Sequence, residues 1–374
     1  MEIKLKTGIL NLEKNDKLLD LTGFSSRINK KRGFLFISKV LGKHIPCRPT
    51  FMEKIYLELA DKIKKQLNDK PSLVIGFAET ATSLGNGVYE KLNLDNSFYI
   101  HTTRYKTSKK VLVDFKEEHS HAPSQFLYFP EDLELVEMID KIENIILVDD
   151  ELTTGKTIEN IVKQLKINLP HVKNYYFVSI LNWINKPIEN NYIHIYKDTF
   201  DFESYELDID ENIVSETIEQ KNLDEIIPYN FGRFGIKKIN YDFETLLHSK
   251  NLSISEIKDK KILVLGTAEF MYLPYKFAYY LEENGIKVYY QSTTRSPINI
   301  DGDILSKIQF KDNYFENIDN FLYNVIDKEY DYIFVCYETT LTPENHNLID
   351  LLEDKKYSFI IESFNFSLEQ YLMD

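Results

Sequence analysis

Two adjacent carboxylates, Asp149 and Asp150, close the apolar run "NIILV" and lead within two residues into "TTGKT". Carboxylates at the end of a buried strand suit sugar hydroxyls or a magnesium ion. A hydroxyl-rich turn that opens a helix does the opposite job. Its successive backbone N–H groups and the helix dipole converge on an anion. Thr153, Thr154 and Thr157 add hydroxyl donors, Lys156 adds a cation, and Gly155 lets the backbone approach closely. The loop fits one phosphate monoester, and the aspartates fit the hydroxyls of the sugar that carries it.

Such a site needs strands to aim it. Short apolar runs at 72–77, 97–102, 144–150 and 174–181 alternate with helical patterns such as "FMEKIYLELADKIKKQL" and "TIENIVKQL". This alternation predicts an α/β fold with a mainly parallel sheet flanked by helices, where ligands bind beyond the carboxyl ends of the strands. The chain turns acidic and irregular between about 185 and 255, and a second α/β series begins with "KKILVLG". The expected domains are therefore 20–215 and 225–374.

The two series look alike. Gly76, Ala78 and Glu79 match Gly266, Ala268 and Glu269, and "TTR" at 102–104 matches "TTR" at 293–295. Glycine to arginine spans 28 residues in the first series and 29 in the second. With "IILVDDELTT" set against "YIFVCYETT", three correspondences in one order predict an internal duplication. In place of the aspartate pair, the second series is read as carrying Cys336-Tyr337. Its remaining polar groups, Gly266, Glu269, Thr294, Arg295 and Ser296, outline a second pocket for a substrate, partner or regulator.

Composition narrows the function classes. A formal net charge of −14 disfavours general nucleic-acid binding, and 43% hydrophobic residues with 24 Phe and 25 Tyr predict folded material. Two distant cysteines give neither a disulfide framework nor a zinc spacing, which fits a reducing, cytoplasmic setting. No stretch reads as a signal peptide or membrane span.

The run from Val148 to Thr157 closely resembles the phosphoribosyl-diphosphate motif of type I phosphoribosyltransferases. With "SRINKKRGFLFISKVLGKHIPCRP", "GFAETATSLG", "HTTRY", "EEHSHAPSQ" and "TTRSP", the chain resembles a narrower group. These are the phosphoribosyltransferase-like proteins of tellurite-resistance and stress-response gene clusters, which carry a C-terminal TRSP domain. The resemblance implies a type I phosphoribosyltransferase-like fold, phosphoribosyl diphosphate as substrate, Mg2+ as cofactor, a nitrogenous base as acceptor, and a homodimer as an option. It places the ribose hydroxyls and metal on Asp149 and Asp150, and the 5-phosphate on Thr153 to Thr157.

By the same resemblance "GFAETAT" takes the position of the diphosphate loop, so Ala78, Glu79 and Thr80 face the diphosphate. Glu79 departs from the commoner pattern, which has a basic residue there. Arg32, Lys39 and Arg104 are the expected sources of positive charge. The segment from Lys106 to Pro130 corresponds to a mobile lid, in which His119 and His121 are candidates to donate a proton or hydrogen bond to the leaving diphosphate. The expected activity is transfer of ribose 5-phosphate to a base. The alternatives are a regulator that binds phosphoribosyl diphosphate or nucleotides without turnover, and a scaffold in a stress-response assembly.

Overall fold

The computed structural model describes residues 1–27, 32–115, 125–185, 191–206, 227, 229–326, 328–339, 347–353 and 360–366. Among them the chain makes two compact units that interleave along the sequence. A terminal unit takes Met1–Phe51, Phe200–Tyr229 and Asn240–Asp374, and a central unit takes Met52–Thr199 and Asn230–Ile239. The cut is therefore not a single point near 220.

In chain order the terminal unit opens with β1 (Glu2–Leu5), β2 (Gly8–Leu12), α1 (Asp16–Leu21), β3 (Thr22–Ser26) and β4 (Phe34–Ser38). Next come α2 (Pro49–Lys64), β5 (Ser72–Gly76), α3 (Ala81–Leu92), β6 (Ser97–His101), β7 (Val111–Phe115), β8 (Gln125–Tyr128) and α4 (Leu133–Ile139). The central unit continues with β9 (Asn144–Leu152), α5 (Lys156–Asn168), β10 (Asn174–Asn182) and β11 (Asn191–Lys197). The chain then returns to the terminal unit with β12 (Phe200–Ser204), α6 (Phe243–His248), α7 (Ile254–Ile257), β13 (Lys261–Gly266) and α8 (Tyr272–Glu283). It ends with β14 (Lys287–Ser292), β15 (Lys307–Lys311), β16 (Asp319–Tyr323), β17 (Tyr332–Tyr337), α9 (Leu348–Glu353) and β18 (Ile360–Asn365).

The central unit is a five-stranded sheet in the order β11-β10-β9-β5-β6, every neighbouring pair parallel. Its inner strands are apolar without alternation, and Leu73 to Ile75 and Ile145 to Val148 are all fully buried. A parallel sheet covered on both faces requires that pattern. α5 buries Ile158, Ile161, Val162 and Leu165, one stripe at helical spacing. α3 packs closer still. A side chain added at Gly85 would put its Cβ 2.7 Å from the Gly76 Cα, so a glycine on the helix meets a glycine on the strand.

The terminal unit carries its own parallel sheet, β14-β13-β17-β18. A second sheet pairs β1 with β2 and β2 with β12, both antiparallel. The sequence around 200–204 reads as irregular because it is acidic, yet it forms this strand: Phe200 and Phe202 pack on Phe34 while Asp201 and Glu203 alternate with them. The β3–β4 hairpin adds Ile37 to a cluster with Ile298, Ile304, Phe321 and Tyr323.

The expected duplication is visible in topology and in hydrogen bonds. The order β10-β9-β5-β6 corresponds to β18-β17-β13-β14, each with a helix after its first strand and a hairpin after its second. Ala78 N–H donates to Thr102 Oγ1 at 2.8 Å, and Ala268 N–H donates to Thr293 Oγ1 at 2.9 Å. Thr102 N–H meets Gly76 O, as Thr293 N–H meets Gly266 O. Tyr99 and Tyr290 each send a hydroxyl back to the start of the helix that precedes their strand, at 2.7 and 2.9 Å.

Candidate active site at the carboxyl ends of the central sheet

β9 continues past the aspartates to Leu152, held in register with β10 through Ser179↔Asp149 and Leu181↔Glu151. Both aspartates are half-buried, and Asp150 N–H donates to Asp149 Oδ1 at 2.9 Å. The strand stops where Trp183 N–H takes the Leu152 carbonyl at 2.7 Å. Thr153 and Thr154 make the bend, and Gly155 opens α5 in the left-handed region at φ 76°. An L side chain rarely adopts that conformation, and here its Cβ would also lie 3.1 Å from Ile184 Cδ1. Gly155, the N-cap residue, makes no side-chain capping bond, and Thr154 Oγ1 takes the Lys156 N–H at 3.4 Å.

β5 pairs directly with β9, Gly76 opposite Val148, so the "GFAETAT" loop leaves the sheet beside the aspartates. Phe77 N–H donates to Val148 O at 3.0 Å, and the Ala78–Glu79 peptide is cis. Glu79 is buried, its carboxylate 3.9 Å from an Arg104 guanidinium nitrogen. Thr80 stands at the start of α3 without a side-chain capping bond. Asp149 to Thr157, Ala78 to Thr80 and Arg104 thus share one edge of one sheet.

Arg32 and Lys39 belong to the terminal unit, where Arg32 lies over the Phe34 ring at 4.9 Å and Lys39 Nζ donates to Leu19 O at 2.9 Å. A basic run beside a strand-like run carries no mark of which sheet it joins. Residues 116–124, with His119 and His121, lie outside the described residues. Trp183 packs edge-on against Tyr196, as expected of a core tryptophan.

Sequence reasoning missed Thr102, Gln125 and Arg233. Residues 230–239 fall within the expected second domain at 225–374, but they belong to the central unit and pair with β6. Tyr99 bridges Ile236, and His101 N–H donates to Gly232 O at 3.0 Å. This sets Arg233, 2% exposed, beside Thr103, with Nε donating to Thr103 Oγ1 at 3.3 Å and the guanidinium 5.8 Å from the Tyr105 ring. Nothing local in "FGRFG" signals a return over 130 positions.

Among the described residues no group of three His, Cys, Asp or Glu is arranged to hold a metal ion. A half-buried carboxylate pair fits a different ion chemistry. Magnesium keeps several waters and completes its shell from one or two carboxylates and substrate oxygens, so Asp149 and Asp150 suit it. No described helix is long and apolar enough to cross a membrane.

The terminal unit assembles the second predicted set at the ends of β13 and β14. Extending the register of Leu265 with Val335 sets Gly266 opposite Cys336, as Gly76 stands opposite Val148. The aspartate positions therefore correspond to Tyr337 and Glu338, one residue later than the text alignment of Cys336-Tyr337, so one carboxylate is retained. Glu338 accepts the Tyr314 hydroxyl at 2.6 Å, Arg295 pairs with Glu316, and Lys43 Nζ donates to Ala268 O and Thr293 O at 2.9 and 2.7 Å. Gly266 ends β13, Glu269 is buried, Thr294 pairs with Phe321, and Ser296 N–H donates to Thr294 Oγ1.

Asp312 is 1% exposed there, and its Oδ2 has no hydrogen-bond partner among the described residues. Burial pushes its carboxyl above the ordinary range, with Arg295 pulling it back. The folded state therefore holds that proton more tightly than the unfolded chain, and ionising Asp312 costs stability at neutral pH. Asp312→Asn is expected to stabilise the protein at pH 7.5. The gain should shrink as the pH falls into the ordinary carboxylate range. Thermal melts of both proteins across pH 4–8 check the sign.

Comparison with known proteins gives two family matches. The family described as phosphoribosyl transferase matches residues 21–200, and the TRSP domain that lies C-terminal to it matches residues 230–352. No curated protein matches the chain. Among solved structures, a hypoxanthine phosphoribosyltransferase from Staphylococcus aureus is 16% identical, with a TM-score of 0.28 over 43% of this chain and 79% of that one. An adenine phosphoribosyl transferase from Trypanosoma brucei, in complex with AMP, pyrophosphate and ribose-5-phosphate, is 13% identical. Its TM-score is 0.35 over 49% of this chain and 78% of that one.

Proposed function

Because this chain belongs to the phosphoribosyl transferase family in which a TRSP domain follows at the C terminus, we propose that it moves ribose 5-phosphate from phosphoribosyl diphosphate to a nitrogenous base. The observation that carries this reading is the exit of β9. Asp149 and Asp150 pass through a threonine bend and a left-handed Gly155 into the N-terminus of α5, beside the Ala78–Glu79 loop.

In this reading the Thr153–Thr157 backbone and hydroxyls hold the 5-phosphate. Asp149 and Asp150 accept hydrogen bonds from the ribose hydroxyls. As the C1–O bond breaks, positive charge develops on the ring, as in glycoside chemistry, and the two carboxylates stabilise it. The same carboxylates would hold magnesium together with substrate oxygens, and that ion would neutralise charge on the departing diphosphate. Arg104 offers a cation on the diphosphate side. The base nitrogen takes C1 and gives up its proton, and no covalent intermediate with the protein is needed. The product is a nucleotide-like compound.

Glu79 favours a second reading, a regulator that binds phosphoribosyl diphosphate without turnover, since a carboxylate in the diphosphate loop repels the leaving group unless it is neutralised. One experiment separates the readings. Phosphoribosyl diphosphate is titrated calorimetrically with and without Mg2+, and diphosphate release is then followed with a panel of purine and pyrimidine bases. Binding with release supports the transferase, and binding without release for any base supports the regulator. Absence of binding to folded protein rejects both.

A further inference from the structure

At the entry to the loop beside the aspartates, three buried groups close a hydrogen-bond ring. Ala78 N–H donates to Thr102 Oγ1 at 2.8 Å, Thr102 Oγ1 donates to Gln125 Oε1 at 2.7 Å, and Gln125 Nε2 donates to Ala78 O at 3.2 Å. Thr102 and Gln125 are at most 1% exposed. The ring runs in one sense only. An amide N–H must donate, so the threonine oxygen accepts it and its proton goes outward to the glutamine carbonyl. That leaves the glutamine NH2 for Ala78 O.

Gln125 is also the first residue of β8, where the β7–β8 hairpin rejoins the strand ends. Its neighbour Phe126 exchanges two backbone hydrogen bonds with Thr103, both 2.8 Å. One dipeptide thus fixes both the exit of β6 and the loop after β5. The repeat in the terminal unit shows what its loss looks like. There Ala268 N–H still donates to Thr293 Oγ1, and Phe321 still pairs with Thr294. Asn320 stands in the glutamine position, one methylene shorter, and its amide turns to Ile318 O at 3.5 Å. The ring stays closed only in the unit that keeps both aspartates.

We propose that Gln125 is a positioning residue for the diphosphate subsite, holding the Ala78 carbonyl back from the ligand and tying that orientation to the β7–β8 hairpin. This deepens the transferase reading and rests on it. Gln125 touches Ala78 and Thr102, and it acts on the ligand through the loop. Turning the Ala78 carbonyl toward a diphosphate would set an oxygen dipole against anionic oxygens.

The test compares two ligands that differ by the diphosphate. Wild-type protein, Gln125→Leu and Gln125→Met are titrated with phosphoribosyl diphosphate plus Mg2+, and separately with ribose 5-phosphate. Both variants keep side-chain volume and remove the amide. Weakening of phosphoribosyl diphosphate by tenfold or more, with ribose 5-phosphate unchanged within twofold, supports the positioning role. Equal weakening of both ligands, or no weakening, overturns it. If both variants melt early, Thr102→Ser, which keeps the ring, and Thr102→Val, which opens it, carry the same comparison. Failure of wild-type protein to bind either ligand rejects the proposed function itself, an outcome distinct from equal binding by wild type and variant.

Discussion

Replacing Asp149 and Asp150 together by asparagine is expected to lower kcat/KM for diphosphate release on the order of 10³-fold or more, while the melting temperature stays close to that of the parent. The size follows from the proposed role. A group that stabilises developing charge in a water-poor site is worth about 10²–10³ in rate, and two acting on one cation exceed that. The fold should tolerate the change. Both side chains are half-buried at a strand end, and an amide in place of the Asp149 carboxylate keeps an oxygen for the next backbone N–H. Steady-state kinetics with a thermal melt separate the two effects. A loss of rate under tenfold would remove these aspartates from the chemistry.

Gly85→Val is the second large effect, and it acts on the frame of the site. The new Cβ would fall 2.7 Å from Gly76 Cα and 3.0 Å from the Tyr99 ring. The first contact is backbone, so α3 must move off β5. Overpacking of this kind costs roughly 1–3 kcal/mol. The β5–α3 turn carries Ala78, Glu79 and Thr80, so a shift of the helix also displaces the loop proposed to hold the diphosphate. The expected outcome is a lower melting temperature together with a raised KM for phosphoribosyl diphosphate. Gly87→Ala gives a control on the same helix: its Cβ would meet the Tyr56 ring at 2.3 Å, a contact with a side chain. It should destabilise with a smaller effect on KM.

Much of this molecule is readable from local text because parallel strands are continuous apolar runs and the chemistry follows their ends. "NIILVDD" and "TTGKT" place strand, carboxylates, turn and helix in one line, and the structure adds only Glu151 and Leu152 to the strand. The repeat is legible for the same reason, since Gly76 and Gly266, or Thr102 and Thr293, do the same backbone work. Long-range return of the chain leaves no such mark. The basic run with Arg32 and Lys39 gives no sign that it belongs to the terminal unit, and Arg233 comes back to β6 from a segment that reads as another domain. The ring through Gln125 depends on rotamer and reach, which no spacing encodes. One slip of register, Tyr337-Glu338 for Cys336-Tyr337, hid a retained carboxylate.

The interleaved units also set an order for folding during synthesis. Domains ordinarily fold from the N-terminus as the chain emerges. Here the segment Met1–Phe51 belongs to a unit whose sheet is finished by β17 and β18, so it waits for almost the entire chain. The central sheet can form meanwhile, but its edge at β6 stays open until 230–239 arrives to cover it. A nascent chain therefore exposes an uncovered strand edge and an orphaned N-terminal hairpin together.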